Sequence, residues 1–200
     1  MDYYYSINEP KSYEDKIKGS RFIANIFPID SKDDADKYLH DIRKEHYDAT
    51  HNCYAYIIGP DGLEYRANDD GEPNGSAGNP ILFAIKKYKL SDVLVVVTRF
   101  YGGTKLGVGG LARAYGGTAE EVIKTCVRKK IDITKKVKVF TTYDDINTIK
   151  RLLNDYAVSF DEVYTDTIEI VADIPKSKVE EFRKKITEMT ADRSGSMEII

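Results

Sequence analysis

Thr98–Gly117, TRFYGGTKLGVGGLARAYGG, gathers seven of the chain's 14 glycines with Arg99, Lys105 and Arg113 and no acidic residue. Glycines let a ligand approach backbone amides closely, and cations beside them add a positive field. The chemistry on offer is the binding of an anion or a phosphate group. Gly102, Gly103, Gly107, Gly109 and Gly110 are candidates for the backbone cradle, and Arg99, Lys105 and Arg113 for its charge. Tyr101, with Phe100 and Tyr115, can stack nucleic-acid bases beside those cations, or can be ordinary half-buried packing at a sheet end. The spacing fits neither GxxxxGK[ST] nor GxGxxG, so the common nucleotide fingerprints are absent.

A second stretch has the opposite sign. In Asp69–Gly78, DDGEPNGSAG, the carboxylates of Asp69, Asp70 and Glu72 can hold Mg²⁺ or serve as acid and base. Alternatively they pair with Arg99, Lys105 or Arg113 and fix two loops side by side, the preferred reading because structural ion pairs are commoner than metal sites. Gly71, Gly75, Ser76 and Gly78 give the same loop the makings of a backbone anion nest. His51 and Asn52, at a strand entrance, face a ligand or satisfy a turn. Cys53 alternates with Ala55 and Ile57, which makes it a buried, inert thiol; closeness to His51 along a strand is poor geometry for a nucleophile and its base. His40 and His46 read as solvated, and Cys126 as core. No Ser-His-Asp order or HExxH stands out.

The elements that must carry these residues follow from pattern. Val93–Val97 is an unbroken apolar run, a strand buried on both faces. Leu111, Tyr115, Val122 and Cys126 mark one face of a helix, placing the glycines at a strand-to-helix junction, where a helix N-terminus exposes unpaired N–H groups. Gly116 and Gly117 fall inside that helix and imply close packing on a neighbour; the helix is expected to end near Arg128-Lys129-Lys130. Upstream, residues 1–16 read as an arm. A strand at Arg21–Ile29 is stopped by Pro28, and a helix begins at Ser31 and runs to about Tyr47. Strands Asn52–Ile58 and Leu63–Asn68 flank the turn at Gly59-Pro60-Asp61-Gly62, and a helix opens at Asn79-Pro80. One layer of helices on one sheet accommodates this order.

Glycine then disappears until Gly195. Strands at Lys138–Tyr143, Val158–Tyr164, Thr167–Ile174 and Met197–Ile200, with helices from Asp144 or Asp145 and from Pro175-Lys176, give a βαββαβ, ferredoxin-like order. The chain divides into an arm at 1–16, a first domain at 17–133 and a second at 134–200.

Composition bounds the rest. The 200 residues are 42% hydrophobic and 32% charged, ordinary for a globular protein. No apolar run is long enough to span a bilayer and no secretory leader opens the chain, so a cytoplasmic location is expected. Two widely separated cysteines exclude a disulfide framework or a zinc site. A net charge of −3 limits any nucleic-acid contact to a local basic patch.

The blocks His51–Tyr56, Asp69–Ile81 and Val95–Gly117, preceded by Arg21-Phe22-Ile23-Ala24, resemble the IMPACT/YigZ family of translation-linked proteins over roughly residues 17–130. The C-terminal half is similar to the second domain of bacterial members. The family has a threonine near Ser76 and an alanine near Val108, where this chain differs conservatively. The resemblance implies an α+β protein with a first domain like domain 2 of ribosomal protein S5 and a second like the ferredoxin-like domains of elongation factor G. Eukaryotic members carry an extra N-terminal module that binds the activator of a starvation-responsive kinase; without it, kinase regulation is not carried over. The expected function is binding of RNA, a ribosomal surface or a translation factor through the basic glycine junction, with no cofactor and no membrane partner. The alternative is an enzyme acting on a nucleotide or phosphorylated small molecule, with Mg²⁺.

Overall fold

The computed structural model describes residues 2–164, 168–190 and 196–200. It falls into two compact units, Tyr4–Ile131 and Asp132–Ile200, the latter joined by the chain's first residues. In chain order the first unit holds β1 (Tyr3–Ile7), β2 (Lys11–Ile17), β3 (Ser20–Pro28), α1 (Lys32–Glu45), β4 (His51–Ile58), β5 (Glu64–Asn68), α2 (Gly78–Lys87), β6 (Val93–Phe100), α3 (Val108–Lys124) and β7 (Arg128–Asp132). Five of these strands form an antiparallel sheet in the order β2-β3-β6-β4-β5, while β1 pairs with β7 in a separate ribbon.

Strand β6 lies at the sheet's centre, and its apolar run is buried on both sides. Val93, Val95 and Val97 join the core beneath α2 and α3 with Cys53, Ala55 and Ile57 of β4. Leu94 and Val96 join Tyr54, Tyr56 and Ile58 under α1, whose stripe is Ala35, Leu39 and Ile42. The single helical layer is thereby corrected: α1 covers one face of the sheet, and α2 with α3 the other. A run with no polar position had already required two covered faces. The arm is corrected as well. Residues 1–16 carry β1 and most of β2, with Ile7 in the core and Tyr5 and Tyr13 packed against it. The charged alternation KSYEDKI suits β2 to a sheet edge, where it discourages pairing with another chain.

Helix boundaries moved where side chains intervened. Ser31 caps α1, its Oγ accepting the Asp34 N–H at 3.2 Å, as the sequence leads one to expect. The third helix stops at Lys124, short of the basic run at 128–130. Thr125 Oγ and Cys126 Sγ both donate to the Val122 carbonyl, and the chain leaves as strand β7. Cys126 is half-buried at the core's edge.

The second unit contains β8 (Thr134–Thr141), α4 (Ile146–Tyr156), β9 (Ser159–Tyr164), β10 (Ile168–Pro175), a 3₁₀ turn at Lys176–Lys178, α5 (Val179–Thr190) and β11 (Ser196–Ile199). Its antiparallel sheet runs β11-β8-β10-β9. Val137, Val139, Ile168, Ile170 and Ile174 pack against Ile149, Leu153, Phe182 and Ile186 of the helices. Thr167, expected to open a strand, lies outside the described residues.

Candidate anion and nucleic-acid interface at the start of the third helix

Strand alternation decides what Arg99 does. Odd-numbered residues of β6 face α2 and α3, so Arg99 follows Val97 inward and is 5% exposed. Its Nη1 donates to Glu72 Oε1 at 2.6 Å, and Nη2 donates to Ser20 Oγ at 3.2 Å. The guanidinium lies 5.5 Å from the Phe22 ring and 5.3 Å from the Tyr101 ring. Nε has no hydrogen-bond partner. Tyr115, fully buried, donates its hydroxyl to the same Glu72 oxygen at 2.8 Å. Burial drives the Tyr115 phenol well above its ordinary pKa, so it remains a donor at any physiological pH. Arg99 and Tyr115 therefore leave the set of ligand-facing residues. The ion-pairing reading of the acidic loop holds for one pair, Glu72 with Arg99; Lys105 and Arg113 take no part in it.

Asp69 and Asp70 are also committed. Asp69 accepts the N–H groups of Gly75 at 2.8 Å and of Ala77 and Gly78 at 2.9 Å. It thus caps α2 from nine residues upstream of Gly78, which is why the helix begins at Gly78 without a capping side chain from Ala77. The loop does build a nest of N–H groups, but the protein's own carboxylate fills it. Asp70 accepts the Asn52 N–H at 2.7 Å and Arg43 Nη2 at 3.0 Å. Ser76 is fully buried, with its hydroxyl unpartnered. Among the described residues no group of three or more His, Cys, Asp or Glu side chains is placed to hold a metal ion.

Burial pushes the Asp69 carboxyl up, yet the three N–H bonds outweigh that and hold its pKa below the usual value. A carboxylate with a depressed folded pKa contributes stability above its unfolded pKa and loses it as pH falls through the folded one. Asp69→Asn should therefore cost about 1–2 kcal/mol at neutral pH. The gap from the parent should close below about pH 4. Urea midpoints across pH 2–7 test this, and a gap constant over that range would refute the charge-dependent cap.

His51 and Cys53, two residues apart on β4, share the face that meets α2 and α3, contrary to the expectation that neighbouring strand positions keep them apart. Each is pinned separately to the loop backbone. His51 Nδ1 lies 2.8 Å from the Asp70 carbonyl, which only accepts, so that nitrogen carries the proton. The Cys53 thiol donates to the Asp69 carbonyl at 3.0 Å, and burial pushes its pKa up to about 12, so no thiolate forms at neutral pH. A β-carbon on Gly71 would meet the His51 ring at 3.4 Å. Asn52, on the opposite face, accepts from Thr98 Oγ1 at 2.7 Å. His40 is exposed, whereas His46 is half-buried, edge-on to Phe100.

What remains at the surface is smaller than the sequence offered. Tyr101 through Lys105 form an exposed loop; Gly103 turns within it and Gly107 turns after it, both at positive φ. Helix α3 starts at Val108 behind Gly107, with no side-chain cap and no acidic residue in its first turn. Its first intrahelical bond is Leu111 N–H to the Gly107 carbonyl at 2.9 Å, so the amides of Val108, Gly109 and Gly110 precede the hydrogen-bonded ladder. Arg113 is exposed and folds back toward that end, where its Nη1 would stand 3.7 Å from a β-carbon on Gly109. Lys105 stands two residues before the cap. Neither cation makes an ion pair among the described residues.

Two supporting residues escaped the sequence reading. Ser20 accepts both Arg99 Nη2 and the Gly102 N–H at 3.2 Å, and Arg43 of α1 reaches Asp70. The Gly19 turn before Ser20 was the available signal, since it brings the β2–β3 connection against Gly102. Nothing local in sequence marks Arg43.

Comparison with known proteins agrees with this architecture. The Impact N-terminal domain matches residues 18–123, and a domain of unknown function, DUF1949, matches 139–193. The IMPACT family member YvyE of Bacillus subtilis is 34% identical over 196 residues, 98% of this chain and 90% of that one. The IMPACT family member YigZ of Escherichia coli is 29% identical over 194 residues, 96% and 94% of the two chains. The crystal structure of a hypothetical protein superposes with a TM-score of 0.71 at 28% identity, covering 100% of this chain and 98% of its own. On both the profile match and the near full-length likeness, this chain belongs to the IMPACT family, as a two-domain member of the YigZ kind.

Proposed function

We propose that the protein is a non-enzymatic binding protein of the translation apparatus that engages RNA through the start of α3. The observation that carries this is the exposed N-terminus of a 17-residue helix, uncapped and with no acidic residue in its first turn, with Lys105 and Arg113 beside it unpaired among the described residues. Partial positive charge on the free amides adds to the two cations, and phosphate is the group both would hold. In a chain of net charge −3 the patch is local, which favours a limited contact of modest affinity. A ribosomal surface presents the same phosphate chemistry. The Mg²⁺-assisted reading lacks its donors, because Asp69 caps α2 and Glu72 holds Arg99 and Tyr115. We further read the first unit as like domain 2 of ribosomal protein S5, and the second, from its βαββαβ order, as ferredoxin-like in the manner of elongation factor G. The boundary falls near residues 131–136.

Titration with a structured RNA at several salt concentrations is the test. Lys105→Ala/Arg113→Ala should bind more weakly, and the slope of log K against log salt should shrink by about 1.4–1.8, the loss of two phosphate contacts. Equal binding by parent and double variant would place the contact elsewhere.

A further inference from the structure

Beside the α3 N-terminus lies a feature that phosphate binding leaves unused. A groove of about 680 Å³ runs between α2 and α3, with Asn79, Pro80 and Phe83 of α2 and Arg113, Gly116 and Gly117 of α3 among its lining. Its size lies within the range of small-molecule sites, about 300–1,000 Å³. The residues flanking Phe83 on α2, Ile81, Leu82, Ala84 and Ile85, are buried, yet Phe83 is 67% exposed. Phe83 shares the solvent face of α2 with Asn79, Lys86 and Lys87, and is the large apolar ring on that face.

Two adjacent glycines of α3 line the groove without side chains. At Gly116 a β-carbon would meet Pro80 at 3.4 Å, an ordinary contact. At Gly117 a β-carbon would meet nothing within 4 Å, and the backbone is helical. Internal packing therefore does not ask for glycine at 117, which lowers helix stability for no gain inside the domain. The charge of the groove is one-sided. Glu120 is neutralised by Lys87 at 2.7 Å, whereas Arg113 is unpaired among the described residues and turned toward the α3 N-terminus. Asn79 makes no hydrogen bond through its carboxamide among the described residues, leaving a donor and an acceptor at the rim.

We infer that this groove seats an unpaired nucleobase of single-stranded RNA. The inference rests on the junction reading above and names its ligand class. The base lies flat against Phe83 and the glycine backbone, its edge reaches Asn79, and the phosphate next to it meets Arg113 and the amides of Val108–Gly110. A planar apolar face joined to an anion is the chemistry the groove complements. An acidic peptide matches the cation but has no flat ring to place on the floor. A base held inside a duplex cannot enter.

Fluorescence anisotropy on the full chain tests this with a ten-nucleotide single strand, the same sequence as a blunt duplex, and a deca-glutamate peptide as probes. The single strand should bind about tenfold tighter than the duplex, and Phe83→Ala should erase that preference without changing the salt slope. Lys105→Ala/Arg113→Ala should weaken both RNAs and reduce the slope. If Phe83→Ala binds the single strand as the parent does, the groove does not seat a base while the junction reading stands. Failure of the parent to bind either RNA defeats both. Binding of the peptide in a Phe83-dependent manner, with no RNA preference, makes the groove a protein site and overturns the inference.

Discussion

Glu72→Ala should destabilise the Tyr4–Ile131 unit by about 3–5 kcal/mol, the cost of leaving a buried charge without its partner. The thermal transition of that unit should fall by roughly 10–20 °C. Arg99 is 5% exposed and, among the described residues, its only carboxylate contact is Glu72 at 2.6 Å. Ser20 Oγ is the one other acceptor it holds among them, and the flanking Phe22 and Tyr101 rings cannot replace an anion. The same substitution strands the Tyr115 hydroxyl, a donor in the dry interior. Glu72→Gln keeps an acceptor for both groups and should cost less. The triple change Arg99→Met/Glu72→Met/Tyr115→Phe should recover most of the loss, because it removes the buried ion pair and the phenol together while Ser20 keeps the Gly102 N–H. Urea unfolding of the four proteins decides the matter. Glu72→Ala within about 1 kcal/mol of the parent would mean that Arg99 reaches water in solution.

The second large effect separates glycines that look alike in sequence. A β-carbon on Gly102 would stand 1.9 Å from the carbonyl carbon and oxygen of Gly19 and 2.4 Å from the Ser20 nitrogen. All three are backbone atoms, so relief requires the β2–β3 turn and the exit of β6 to part. Overpacking costs about 1–3 kcal/mol where side chains can yield, and Gly102→Ala should reach or exceed the top of that range. Separation of these segments also displaces Ser20, which accepts from both Gly102 and Arg99. Gly117→Ala should do the opposite and stabilise the unit by about 0.5–1 kcal/mol, since its β-carbon meets nothing and the helix gains propensity. Urea midpoints of the two variants should thus move in opposite directions. A Gly102→Ala protein as stable as the parent would rule out the back-to-back glycine contact. A destabilised Gly117→Ala would show that a glycine is needed there within the fold.

These contrasts show where the sequence was legible. The five-residue apolar run in β6 implied two covered faces, and period-two alternation carried from Val97 to Arg99 already pointed that cation inward. Arg99 therefore does not join Lys105 and Arg113 in one solvent-facing set, because closeness in a glycine-rich string is not closeness in space. The α2 start shows the converse. Asn79-Pro80 carries a strong local signal for a helix N-terminus, but Asp69 provides the cap from a distance, so the helix begins earlier.

By itself the sequence determined most of the elements from Arg21 onward, though not β1, β2 or β7, together with their amphipathic faces, the inert character of Cys53 and the family. All of these follow from residue type and period, which the chain records directly. Only the tertiary structure decided that Asp69 is spent on α2, that Glu72 meets Arg99 and Tyr115 in the interior, and that Lys105 and Arg113 remain at the surface. It also distinguished Gly102, pressed against another backbone, from Gly117, which touches nothing, and it left Phe83 standing beside an open groove. Each of those outcomes depends on a distance between residues far apart along the chain. Such distances are set when the sheet and its two helical layers close on one another, and no local pattern encodes them.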